Sequence, residues 1–387
     1  MRFKTLLLAT FAMLALAAPA AAAVRVKTIA SGLDNPRHLA FGGKGLYVAE
    51  AGRGGSGPCF PSPEGGTACV GDSGRITLIT KHGKRHVVTG LASFADQVTG
   101  NGAIGPHGIF ATGHGNVFFT NGGPTGANRD DLAAGNPVAN LFGRVFKLRR
   151  HKDPVSLVDV WDFERDNNPD AEVANPEVDS NAVDVLVDGR RMAIADAGGN
   201  SVLKARRNGD NVRVLSLFAN REVQFNGQTV EMQAVPTSVV KGPKGDYFVS
   251  QLTGFPFPVG GANVYRVDSK TGRQRVFASG FTNIMDLAVD RRGKLWVLEI
   301  DHDSLFPPVG PSTDGAIYSV DKKGNKKQLA LPAGTLTHPG GITVGKDGNL
   351  YVTNHADEAG EGEVLRIKTG KHRRRGHHNN RSNKRPY

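Results

Sequence analysis

The chain has 387 residues, including 50 glycines and 21 prolines, with 39% hydrophobic and only 7% aromatic residues. That composition suits a packed core of strands joined by glycine turns and excludes global disorder and a helical bundle. The formal charge of +12 overstates the body of the protein, because seven Lys/Arg lie in 371–387 and two in 1–23, leaving about +3 for residues 24–370.

In chain order, residues 1–23 read as a secretory signal peptide. Arg2 and Lys4 precede an apolar run over 6–18, followed by the small residues Ala20, Ala21, Ala22 and Ala23. Export is therefore expected, and no later apolar run approaches the ~18 residues that span a bilayer. Cys59 and Cys69, the only cysteines, bracket a turn-rich segment. In an exported chain they are expected to form a disulfide that stiffens this loop.

One unit then recurs six times: an apolar strand, a short glycine turn, and a second strand ending in a polar residue. The second strands are predicted at 46–49, 117–120, 192–195, 247–250, 295–298 and 350–353. Third strands follow, as at 74–78, 262–267 and 363–367, and fourth strands in five units. Six four-stranded antiparallel units predict an all-β, six-bladed β-propeller over 24–370. The sixth unit lacks a fourth strand, and residues 24–29 supply an unassigned one. The mature N-terminal strand is thus expected to close blade six. Residues 371–387 read as a basic disordered tail.

In such a meander, the loops before the first strand and after the second share one face, here called the top. Long loops on a rigid scaffold are where binding concentrates. The top loops lean acidic and the opposite turns basic, so a charge dipole along the axis is expected. The second strands end in Glu50, Asn121, Asp196, Gln251, Glu299 and Asn354. Arg37, His38, His107, Asn181, Thr237 and Asp286 stand near the first strands. Both rings are expected at the top mouth of the central channel, with structural capping as the bland role for most of them. Glu50, Asn181 and Asp286 are candidate ligands for a divalent ion, Ca²⁺ first, and His107 is a candidate base. Phe255 and Phe257 are candidate lining for a ligand cleft. No G-x-S-x-G, H-E-x-x-H or Walker motif is present.

These residues carry a resemblance. The stretches 32–37, 47–59, 105–107, 195–201, 235–239, 251–262 and 280–288 resemble the ScyD/ScyE family over about residues 25–368. The resemblance implies an exported NHL-like or gluconolactonase-like six-bladed propeller and no particular activity. Similar proteins often carry glycine where this chain has His38, which places a bulky imidazole at the channel mouth.

The leading expectation is a secreted, monomeric binding module for a small molecule or envelope polymer, acting through the top face. A metal-dependent lactonase-like hydrolase or lyase is the alternative. A third reading is a scaffold on an anionic cell-surface polymer, using the basic turns and tail. No nucleic-acid partner is expected.

Overall fold

The computed structural model describes residues 24–62, 65–124, 127–149, 152–306 and 314–369. The expected signal peptide and basic tail lie outside the described residues. Within them, no helix is long and apolar enough to cross a membrane.

The strands form a six-bladed propeller. Blade one comprises Pro36–Gly42, Gly45–Glu50, Thr67–Thr80 and Gly83–Asp96 from the inside outward. Blade two uses Pro106–Ala111, Val117–Asn121, Arg144–Arg149 and Lys152–Asp159. Blade three uses Ala182–Asp188, Arg191–Asp196, Ser201–Arg206 and Arg213–Leu217. Blade four uses Pro236–Lys241, Tyr247–Gln251, Ala262–Val267 and Gln274–Phe281. Blade five uses Ile284–Val289, Leu295–Glu299, Ala316–Val320 and Lys326–Gln328. In blade six Gly341–Val344, Leu350–Asn354 and Ala359–Lys368 are followed on the outside by Arg25–Asp34, which pairs antiparallel with Ala359–Lys368. Each inner strand touches the inner strands of both neighbouring blades, and blade six meets blade one.

The second strands are buried on both faces because blades stack face to face. This explains why Val117–Asn121, Tyr247–Gln251 and Leu295–Glu299 are buried at every position and read as near-continuous apolar runs. The core lies between blades: Tyr47, Ile76 and Leu78 of blade one pack with Ile109, Phe119 and Phe146 of blade two.

Top-loop insertions add a short helix at Arg129–Gly135, another at Val160–Asn167, and a hairpin of Arg221–Phe225 with Gln228–Met232. The Cys59–Cys69 disulfide forms. Its segment is not a plain loop: Cys59–Pro61 pairs with the start of Thr67–Thr80, and the two long strands of blade one continue outward to carry this flap. The turns of the opposite face also hold Asp268, Asp290, Asp321 and Asp347. Their carboxylates accept backbone N–H bonds from Lys270, Arg292, Lys323 and Asn349 at 2.8–3.1 Å. The basic turns therefore carry their own counter-charges, and the expected axial charge dipole is weaker than a count of Lys and Arg suggests.

Leu33 in the outer strand of blade six is fully buried and packs with Leu39, Val48 and Val364. Leu33→Ala is expected to lower stability by about 3 kcal/mol, read as a drop in the denaturation midpoint with unchanged circular dichroism.

Candidate active site in the central channel

The inner strands share one irregularity. Register against the second strand shifts between Pro36 and Leu39, Pro106 and Ile109, Ala182 and Asp184, Pro236 and Val239, and Ile284 and Asp286. A bulge at this level re-aims side chains. At the third strand position it places His38, Asp184, Ser238 and Asp286 in blades one, three, four and five. Gly108 occupies that position in blade two, where a Cβ would stand 2.4 Å from the Asp184 Cα and 3.0 Å from its Oδ1. At Gly341 in blade six a Cβ would stand 2.7 Å from the His38 Cα. Glycine at these two positions lets the imidazole and carboxylate approach the axis.

His38 Nδ1 lies 3.5 Å from Asp184 Oδ1 and 3.9 Å from Asp286 Oδ1. All three side chains are buried, and their ligand atoms lie within 4.8 Å of one another. Neighbouring blades hold the carboxylates rigidly. Asp184 accepts from the Val185 and Val239 amides, both at 2.8 Å. Asp286 accepts from the Leu287 amide at 2.7 Å and the Ile342 amide at 2.8 Å. Ser238 Oγ stands between them, 3.0 Å from Asp184 Oδ2 and 2.8 Å from Asp286 Oδ1.

Burial lowers the basicity of His38, but the Asp286 carboxylate, with Asp184, outweighs it and raises the imidazole to about 9. Burial raises Asp286 to about 6, with His38 opposing and Asp184 adding to the shift. The His107 ring lies 5.0 Å from that of His38. Burial, then the charges of His38 and Arg37, hold His107 well below the ordinary imidazole value. Both His38 Nε2 and His107 Nε2 are buried without a hydrogen-bond partner.

A cavity of about 630 Å³ reaches this group, lined by His38, Asp184 and Asp286 and extending to Lys241, Gly242 and Arg291. Those last residues belong to turns between first and second strands. The cavity thus runs toward the face opposite the long loops, whereas the sequence reading places the mouth among the loops.

The expected metal set is redistributed. Only Asp286 of the three belongs to the channel group. Glu50 is fully buried, and both its oxygens are engaged: by the Asp34 amide at 2.8 Å, Arg75 Nη2 at 2.7 Å and the Thr77 hydroxyl. Asn181 Oδ1 accepts from the Gly123 amide at 3.1 Å. Other members of the second-strand ring repeat the role of Glu50. Asp196 accepts from the Asn181 amide, Glu299 from Thr282 and Asn354 from Thr337, at 2.7–2.8 Å. Each clamps the chain entering its blade. Gln251 accepts from the Asn263 amide and Arg221, and Asn121 donates to the Ala92 carbonyl. Thr237 donates to the Ile284 carbonyl and Arg37 to the Ala103 carbonyl. Phe255 is exposed and stacks edgewise on Phe225 and Phe306, and the Phe257 carbonyl accepts from Ser304. None of these lines the channel cavity.

Sequence reasoning missed Asp184 and Ser238. Setting Pro36-Arg37-His38-Leu39 beside Ala182-Val183-Asp184-Val185, Pro236-Thr237-Ser238-Val239 and Ile284-Met285-Asp286-Leu287 puts a polar residue third in each. That column is the signal that identifies them.

The three donors fit a divalent ion. Donors held at about 2.0–2.4 Å from one ion are at most about 4.8 Å apart. One imidazole with two carboxylates suits a borderline ion such as Zn²⁺ or Mn²⁺ better than the oxygen-seeking Ca²⁺ first expected.

No protein-family model and no curated protein matches the chain. Among solved structures it is similar to a gluconolactonase from Xanthomonas campestris (TM-score 0.52, 12% identity, 89% of this chain and 90% of that one). A glucose dehydrogenase gives TM-score 0.52 at 14% identity, covering 89% of this chain and 100% of that one. A structural-genomics protein of unknown function from Bacteroides thetaiotaomicron gives TM-score 0.54 at 10% identity, covering 89% and 76%. At these identities the likeness shows the propeller fold alone.

Glu50→Ala strips a buried partner from Arg75 and is expected to cost about 3 kcal/mol of stability while leaving metal uptake in the channel unchanged. Asp286→Asn is expected to abolish that uptake. Denaturant titration and metal analysis of both variants separate the two roles.

Proposed function

We propose that this chain is an exported binding propeller that takes a small molecule in its central channel, with a divalent ion held by His38, Asp184 and Asp286 at the inner end. The observation that carries this reading is the convergence of three buried ligand groups at one end of a 630 Å³ cavity. The unpartnered Nε2 atom of His38 supports it, since a buried polar atom without a partner is costly, His38 lines the cavity, and a polar ligand there satisfies it. The ion, when bound, supplies a Lewis acid. The carboxylates hold its place, and Ser238 fixes their orientation. The disulfide suits an oxidising compartment, and the leader-like N-terminus supports export. A monomer acting without nucleic acid remains part of this proposal.

A second reading, hydrolysis of a lactone or ester, is favoured by the His107 ring 5.0 Å from His38. There His107 would take a proton from the attacking water.

Metal analysis of the purified full chain, with His38→Ala and Asp184→Asn alongside, tests the first reading. The expected result is one equivalent of a borderline ion such as Zn²⁺ or Mn²⁺ per chain that both variants lose. Equal content of that ion in all three proteins overturns it. For hydrolysis, a screen of lactones and esters should find a substrate whose turnover falls about a hundredfold in His107→Gln with metal content intact.

A further inference from the structure

Away from the channel, the top of blade three encloses a second group of acids. Glu164 lies on the helix Val160–Asn167, Asp170 and Asp179 in the loop that follows, and Asp196 ends the second strand of the blade. Glu164 is 1% exposed, and Asp170 and Asp196 are fully buried. Among the described residues, no Lys, Arg or His pairs with or offsets any of the four. Arg165, next along the helix, turns instead to Asp130, Asp162 and Asp166.

The polar accounting is incomplete in one place. Asp196 is satisfied by the Ser180 hydroxyl at 2.8 Å and the Asn181 and Gly199 amides at 2.7 and 3.3 Å. Asp170 accepts from Asn200 Nδ2 at 2.9 Å through one oxygen only. Its other oxygen and both oxygens of Glu164 are buried and receive no donor from outside the pair, and the two carboxyl groups lie within hydrogen-bond reach of each other. An orphaned carboxylate at this depth costs several kcal/mol unless it is neutralised. The backbone makes room for it. At Gly199 a Cβ would stand 2.8 Å from Glu164 Oε2 and 3.2 Å from Asp196 Oδ2, and at Gly198 one would stand 2.9 Å from the Asp179 Cγ. Any side chain at Gly199 would fill the space these oxygens face.

We propose that Glu164 and Asp170, framed by Asp179 and Asp196, bind a hard divalent cation, Ca²⁺ by its preference for oxygen, and that this ion pins the helix and loop 160–181 onto blade three. Calcium takes six to eight oxygens, waters and carbonyls included, so the four carboxylates need not all touch it directly. The site differs in chemistry from the channel, where an imidazole is a ligand.

The test uses the full chain, stripped with chelator and titrated with Ca²⁺ by calorimetry. Wild-type protein should bind one Ca²⁺ with a raised Tm. Asp286→Asn should retain this binding, and Glu164→Gln should weaken it by about tenfold or more. Terbium as a calcium stand-in locates the ion even if Glu164→Gln folds poorly. Trp161 lies one helical turn from Glu164, and the only other tryptophan is Trp296. Terbium emission excited through tryptophan should vanish in Trp161→Phe and persist in Trp296→Phe. The proposal is overturned if wild-type protein binds no Ca²⁺, if Glu164→Gln binds it as wild type does, if Asp286→Asn abolishes it, or if the emission follows Trp296.

Discussion

Five of the six inner strands slip out of register with their neighbours just after they begin. The channel chemistry rests on that bulge. In an unbroken strand, Asp184 would share a face with Ala182 and Leu186. The slip instead presents third-position residues toward the axis, where six strands converge and space is scarce. Blade two meets that scarcity with Gly108 at the third position and blade six with Gly341 at the start of its regular strand, and the other four place polar side chains there. His38 is the large member, and the glycine neighbours on both sides leave it room.

Electrostatics then separates two buried acid groups. In the channel, a single imidazole faces two carboxylates, each tied to backbone amides, so the group is close to self-compensated and rigid. Above blade three, four acids gather with no Lys, Arg or His against them among the described residues, and Glu164 faces Asp170 with no donor from outside the pair. The first arrangement accommodates either a proton on His38 or a metal ion. The second demands an external positive charge or retained protons.

The polar residues closing the second strands do a different job. Glu50, Asp196, Glu299 and Asn354 each bind the amide of a residue entering the same blade. Asp34 donates its amide to Glu50 and accepts from Arg53 and Arg75 through its carboxylate, so the last residue of the N-terminal strand is fastened to blade one. These side chains are as buried as the channel group and as polar. Their partners mark them as joints of the ring rather than parts of a ligand site.

The amino-acid sequence by itself determined the blade count, the position of nearly every strand and the cysteine pair, because these depend on local pattern: apolar runs, glycine turns and short spacing. It also placed His38, His107 and Asp286 among the residues near the first strands. Only the tertiary structure decided which of the many polar residues meet. Asp184 sits in an apolar run and reads as strand interior until the bulge turns it. Glu50 looks as much like a ligand as Asp286 until Arg75 pairs with its charge, whereas Asp286 faces His38 and Asp184 in the channel. Glu164 does not figure in the sequence reading, and only the helix Val160–Asn167, laid against Gly199, buries it beside Asp170. Blades one, three and five contribute the channel group, so its meeting depends on ring closure and strand register, while Glu50 and Glu164 find their neighbours within or beside their own blade, in pairings that local pattern does not encode either.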